Sequence, residues 1–341
     1  MSLGCLASWP NTFKRAGRWR FELFACDFAL GALLFSLIAA YTLGTLGAAL
    51  GFGDRLLVAA RTDQALAVLA GGCFALANLL FLSSVSLIGI AAAFPLTVGT
   101  ACAVIALSGW KGSNLILMPA GVALVIVTVV LDAMAIRKRG AALGAAAAAA
   151  SAQTQAQTEN SKSSAKNKPA KRWRISTKGI WVGLISGIAL GICLPIIYNS
   201  TYNEFGLGAY AGLLLFSLGL FGATLGLNVY FMNIAIHGGP IGFSAYFNGN
   251  LQQHLWGFAG GATWAAGALA LGLALSVPAP NGLSPAVSFI VPSLAVLLAM
   301  FWGLVSWKEY VVAPANAKGM LFLSGVAFLA GVVVLGFGAA H

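Results

Sequence analysis

Apolar runs of about twenty residues recur along this chain, each long enough to cross the ~30 Å hydrocarbon layer of a membrane as a helix. They read as roughly 27–50, 64–83, 85–107 and 115–136, then 179–197, 208–232, 254–275, 285–306 and 319–337. In lipid every backbone N–H and C=O must pair inside the protein, which leaves helices or a closed barrel. A barrel needs short strands of alternating polarity, and these runs are continuous. Sixty per cent of residues are hydrophobic and 8% are charged, against about 25% charged in a soluble domain. The chain lacks the charge to cover a water-exposed surface.

One polar stretch, 137–178, divides the runs. It opens on Arg137-Lys138-Arg139, passes through an alanine run and a Ser/Gln/Thr stretch, and closes on Lys162, Lys166, Lys168, Lys171, Arg172, Arg174 and Lys178. Ten of the nineteen Lys+Arg residues lie in it. So little apolar surface predicts a disordered linker. The chain thus divides into 1–136 (a short first helix plus four spans), the linker 137–178, and 179–341 (five spans).

The net charge of +11 raises nucleic acid as a partner. The basic residues sit at helix ends and in the linker, so they set membrane orientation and no nucleic acid is expected. With the short amino-terminal piece counted as helix one, the odd loops hold Lys14, Arg15, Arg18, Arg20, the linker's ten, Lys308 and Lys318. The even loops hold Arg55, Arg61 and Lys111. Cytoplasmic loops carry the Lys/Arg excess. The linker is therefore expected in the cytoplasm and both termini outside, in the cell (inner) membrane. Cys5, Cys26, Cys73, Cys102 and Cys193 stand singly. Without CxxC or Cys/His spacing, no metal, disulfide framework or cofactor is expected.

The two blocks look alike. AAAFPLTVGTACAVIALSGWK surrounds Pro95 and VSFIVPSLAVLLAMFWGLVSWK surrounds Pro292. A Trp-Lys pair follows each proline at the same spacing, Trp110-Lys111 and Trp307-Lys308. Gly71-Gly72 and Gly260-Gly261 match one helix earlier. Two halves with an odd helix count must sit in opposite orientations, and such inverted repeats mark transporters with a midplane site. Chance is the competing reading, since Pro and Trp are frequent in membrane helices.

Asn11-Thr12-Phe13-Lys14, Arg18-Trp19-Arg20, Phe21-Glu22-Leu23-Phe24 and Asp27-Phe28 resemble the first cytoplasmic loop and second helix of ureide-permease-like proteins. These belong to the drug/metabolite transporter superfamily, with the rhamnose and glucose uptake carriers. Ala93-Phe94-Pro95, the run His254, Gly257, Gly260-Gly261, Trp264 and Gly267, and Trp302-Gly303 with Trp307-Lys308-Glu309-Tyr310 extend the likeness. The resemblance implies an all-α integral membrane protein of about ten transmembrane helices in two inverted five-helix repeats. It also implies proton-driven uptake of small solutes. Two departures stand out. In the family, the residues matching Trp9-Pro10-Asn11 end a complete first helix, which here reads as truncated. Either translation starts upstream or one wall of the cavity is missing. The plant permeases carry a nucleotide-binding-like central stretch, and no GxxxxGK[ST] occurs here, so nucleotide dependence is not expected.

A carboxylate within the hydrocarbon costs several kcal/mol unless paired or wetted, which makes it a functional candidate. Asp54, Asp63 and Glu159 read as solvated, and Asp132 as paired near Arg137 or with interfacial water. Asp27, the deepest of the others, is the preferred proton site. Glu22 reads as an ion-pair partner of Arg18 and Arg20 or as a proton site. Glu309 reads as a cap or ion pair, or as proton-coupling. Glu204 reads as a solvated loop charge or an entrance residue. His254 either exchanges a proton or donates to a carbonyl. His237 and His341 have no supporting context.

An amide in lipid must find a partner, so Asn78, Asn228 and Asn233, with Tyr230 and Trp264, are expected to face inward. Asn78, Asn228, Tyr230, His254 and Trp264 are the substrate-binding candidates, with Pro95 and Pro292, whose breaks line cavities or merely kink helices. Such a site suits a neutral sugar, ureide or nucleobase. The 42 glycines let helices approach and slide. The reading is a secondary active transporter taking a small-molecule substrate and protons across the bilayer by alternating access, with a homodimer left open. Export of drugs or lipid-linked sugars, and a non-transporting scaffold, are the alternatives. An enzyme is not expected, because acids and histidines are scattered rather than clustered.

Overall fold

The structure, a computed structural model, describes residues 1–46, 51–108, 114–157, 170–202, 205–236, 238–277 and 285–339. The expectations for Trp110, Lys111, Glu159, Glu204, His237, His341 and the linker core 158–169 lie outside the described residues. The first half holds α1 (Ser2–Ser8), α2 (Pro10–Arg15), α3 (Phe21–Tyr41), α4 (Phe52–Val58), α5 (Arg61–Ile88), α6 (Ile90–Ser108) and α7 (Leu117–Gln157). The second holds α8 (Ala170–Tyr202), α9 (Gly208–Asn233), the short α10 (Ser244–Phe247), α11 (Leu251–Leu275), α12 (Pro285–Ser293), α13 (Ala295–Phe301), a π-turn at Trp302–Ser306 and α14 (Ala315–Ala339).

Among the described residues, eight helices are long and apolar enough to cross a membrane, and the shorter apolar segment Ile290–Ser306 joins them. Several boundaries differ from expectation, among them the end of the first full span, at Tyr41 instead of 50, and the break between the second and third spans, at Gly89 instead of 84. The linker was expected to be disordered from Arg137, but α7 continues through Gln157 and α8 starts at Ala170. Alanine is the strongest helix former, and the alanine-rich run Ala141–Ala150 carries α7 onward. The first full span begins at Phe21, so Asp27 lies nearly two turns inside it rather than at its mouth. The span expected over 285–306 is interrupted at Leu294, two residues after Pro292, whose ring and missing N–H disturb the helix. Pro95, by contrast, lies within an unbroken α6.

Two tight crossings organise the bundle. In the first, α5 meets α9: a Cβ on Gly71 would overlap the Phe216 carbonyl, and one on Gly219 would overlap the Val68 carbonyl. In the second, α3 meets α11: a Cβ on Gly261 would overlap the Phe28 carbonyl, and one on Gly31 the Phe258 carbonyl. Further packing joins α5 to α8, α11 to α1, α6 to α8 and α13, α3 to α9, and α7 to α14. The outside of the bundle is apolar too. Trp181, Ile185, Ile188 and Ile192 form an exposed stripe on α8, as Ile126, Val130 and Met134 do on α7. Apolar surface of this extent needs lipid as its solvent. The chain is an all-helical, multi-pass membrane protein.

Candidate functional site

Polar ties between distant segments crowd one end of the bundle, here called the basic end. Arg139 donates to the Ile88 carbonyl at 2.6 Å and Lys178 donates to the Ile236 carbonyl. Arg20 donates to the Gly239 carbonyl at 2.5 Å, and Trp307 Nε1 to Asn11 Oδ1 at 2.6 Å. Glu309 accepts from the backbone N–H of Ile90 and of Ala91, both at 2.9 Å, and pairs with Lys14 at 2.8 Å. Its charge thus sits on the amino terminus of α6, where the helix dipole favours an anion. Gly89 makes this possible. Its φ of 90° turns the chain between α5 and α6, and the Glu309 carboxylate fills the space where a Cβ would lie.

Asp27 lies within the basic third of α3 and is buried. It accepts from Tyr246 Oη at 2.5 Å and from Trp19 Nε1 at 3.2 Å. His254 Nδ1 lies 3.0 Å from one carboxylate oxygen and 3.1 Å from the other. The donors come from three segments: the loop before α3, α10 and the start of α11. Gly257 admits the carboxylate, since a Cβ there would overlap the Asp27 side chain. The rings of Trp19 and Tyr246 flank the imidazole at 5.1 and 4.8 Å. Burial, then the hydrogen bond to Asp27, push the Tyr246 phenol up, so it stays a donor at physiological pH.

The other candidates separate. Glu22 is buried and bound by both nitrogens of the Arg20 fork, at 2.6 and 3.1 Å. Asn228 is buried and donates to the Glu22 carbonyl and to Cys26 Sγ, both at 2.9 Å. Tyr230 was expected to face inward but is 56% exposed. Two residues along a helix turn a side chain about 200° away, so burying Asn228 sends Tyr230 to the lipid side. Asn233 is likewise exposed and bonds the Val229 carbonyl.

The centre is aromatic. Trp264 stacks on Phe74 at 4.7 Å and on Phe216 at 5.8 Å, with Phe28 at 5.9 Å. Asn78 shares the inward face of α5 with Phe74 and Phe81, at helical spacing. It is 4% exposed, and its Oδ1 has no hydrogen-bond partner among the described residues. Ten residues from the end of α5 at Ile88, it lies about 15 Å along the helix from that end.

Asp132 corrects a further expectation. It is fully buried and accepts from Ser324 Oγ of α14 at 2.6 Å, rather than pairing with Arg137 or interfacial water. Sequence reasoning passed over Tyr246 and Trp19. For Trp19 the signal available was an aromatic donor eight positions before an acid near the start of a span; Tyr246 lies 219 positions from Asp27 and carried no local signal. Comparison of the chain with protein-family models, with curated proteins and with solved structures finds no match in any of the three.

Proposed function

We propose that the chain is a proton-coupled secondary transporter of a small neutral polar solute, built from two inverted five-helix halves as in the drug/metabolite transporter superfamily. The observation that carries this reading is the doubled crossing. Phe28 and Gly31 of α3, with Phe258 and Gly261 of α11, form one interlock; Phe216 and Gly219 of α9, with Val68 and Gly71 of α5, form the other. In all four helices the glycine follows the contacted carbonyl by three residues. The correspondence of α3 with α9 and α5 with α11 extends to the packing: α5 holds α8 as α11 holds α1, and α6 meets α8 as α13 meets α1. Trp264 and Phe74, each three residues beyond its glycine, stack on each other between the halves.

The Lys/Arg excess puts the basic end in the cytoplasm. Asn78 offers its amide oxygen to a solute donor, and the neighbouring rings offer flat apolar faces. Proton coupling resides at Asp27. Protonation removes the charge at which Tyr246, Trp19 and His254 are aimed, so three ties at the basic end weaken together. The carrier moves because the two states differ in affinity for proton and solute.

Purified protein in proteoliposomes tests this with labelled sugars, ureides and nucleobases, with and without a pH gradient. At least one solute should accumulate only with the gradient, and Asp27→Asn should lose accumulation while keeping solute exchange. Failure of every solute to accumulate, or accumulation indifferent to the gradient, would refute it.

A further inference from the structure

Two clefts sit at corresponding places on opposite ends of the bundle. The one at the basic end, about 280 Å³, lies between α2 and α11 and is lined by Arg15, Arg18, Asn250, Gln252, Gln253 and Trp256. The one at the far end, about 400 Å³, lies between α5 and α8 and is lined by Asp63, Leu66, Tyr198, Asn199 and Tyr202. Asp63 and Leu66 precede Gly71 by the same intervals at which Gln253 and Trp256 precede Gly261. The packing therefore makes the cleft twice, while its chemistry differs: two arginines line one copy, and an aspartate and two tyrosines the other. The arginines are not a by-product of the fold.

Those arginines are uncommitted. Among the described residues, neither Arg15 nor Arg18 lies within ion-pair distance of a carboxylate, although Lys14 and Arg20 on either side both do. Arg15 is held in place by stacking over Trp256, 5.1 Å from the ring centroid, and Asn250, Gln252 and Gln253 surround the pair with amides. Immediately beside the cleft, Leu251, Leu255 and Phe258 are exposed on α11. Their spacing places them on one face, running from the cleft into the hydrocarbon layer. Paired cations at the membrane boundary, above an apolar strip directed into the membrane, match a lipid with a negatively charged head.

We propose that this cleft binds the phosphate-bearing headgroup of an anionic phospholipid, with an acyl chain laid along Leu255 and Phe258. Arg15 and Arg18 bind the phosphate, the amides hydrogen-bond the rest of the headgroup, and the strip excludes water from the chain. Basic pockets between membrane helices hold anionic headgroups by this combination. The site does not depend on what the protein transports.

Native mass spectrometry of the full-length protein, with phosphatidylglycerol or phosphatidylcholine added to the detergent, reads the bound lipid directly. Wild type should bind phosphatidylglycerol about thirtyfold more tightly than phosphatidylcholine, which is about 2 kcal/mol for two basic residues. Arg15→Gln/Arg18→Gln should remove that preference, and Arg55→Gln/Arg61→Gln, an equal charge change at the far end, should retain it. Gln252→Glu adds a repelling charge at an exposed position and should weaken phosphatidylglycerol binding while leaving both arginines in place. Three results would overturn the proposal: an Arg15/Arg18 double variant that keeps the wild-type preference for phosphatidylglycerol, no effect of Gln252→Glu, or displacement of the lipid by inorganic phosphate at millimolar concentration, which would mark a free-anion site.

Discussion

Glu309 concentrates more distant contacts than any other side chain discussed above, joining α2, the turn after α13 and the amino terminus of α6. Glu309→Ala deletes two hydrogen bonds to buried backbone donors and leaves Lys14 without its partner. Such losses cost about 1 kcal/mol per neutral hydrogen bond and more for a charge, so a total near 3 kcal/mol is expected. Glu309→Gln keeps an acceptor for one backbone donor and should cost less, and Lys14→Gln, at a partly exposed position, least of all. Thermal unfolding in detergent should give that order; equal effects from all three would mean the capping hydrogen bonds contribute nothing. Tyr246→Phe argues the proton site from its other side. It removes a donor that stabilises the ionised form of Asp27, and loss of such a donor favours the protonated form. Gradient-driven uptake should therefore reach half its maximum at a higher pH than in wild type, and a shift to lower pH would contradict the assigned role. Asp27 was legible in the sequence as an acid inside an apolar run, and His254 as a histidine opening a span directly after Gln252 and Gln253. Their meeting was not, because it depends on which helices cross, and no spacing within one helix carries that information. Asp132 was misread for the same reason: its partner, Ser324, lies 192 positions away.

The helices themselves were legible because lipid removes alternatives. Each apolar run of span length became helical, but several bounds moved: α3 ends at Tyr41 where 50 was expected, α8 starts at Ala170 where 179 was expected, and local chemistry moved others. Gly89 set the α5–α6 break, Pro292 preceded the interruption of the ninth span, and the alanine run extended α7. The glycine excess was legible as close packing, but which glycines sit at crossings was not. Gly219→Ala would drive a methyl group into the Val68 carbonyl and separate α5 from α9. Overpacking of this kind costs about 1–3 kcal/mol. Gly222, on the same helix, has no atom beyond its own stretch of helix backbone within 4 Å of its Cβ position, so Gly222→Ala should leave the unfolding temperature unchanged or raise it. If the halves are equivalent, Gly31→Ala should destabilise as much as Gly219→Ala. A large loss at one crossing and none at the other would argue against two matched interlocks.

At the scale of the whole molecule, the described polar ties are distributed unevenly. The basic end is held by Lys14–Glu309, Asn11–Trp307, Arg20–Gly239, Arg139–Ile88 and the donors around Asp27, while toward the far end Ser2 Oγ donates to the Gly267 carbonyl at 2.8 Å and Asn114 N–H bonds the Gly338 carbonyl at 3.1 Å. A carrier latched at one end has to break those ties to open there, so weakening them should shift the population toward opening at the basic end. Loss of one partly buried ion pair and one hydrogen bond, about 1–2 kcal/mol together, corresponds to a shift of roughly five- to thirtyfold. Ser83 is a suitable reporter: it is fully buried on α5, about 7.5 Å from the helix end at Ile88. In a background with the five native cysteines replaced, Ser83→Cys should react slowly with a membrane-impermeant thiol reagent applied at the basic end. Adding Asn11→Ala and Lys14→Gln should speed that reaction by about the factor above, and Asp27→Asn, which imitates the protonated acid, should act in the same direction. Reagent applied at the far end should not react faster. Unchanged labelling would mean that the ties do not set the equilibrium, and faster labelling from both ends would mean that the substitutions loosen the fold instead of moving a gate.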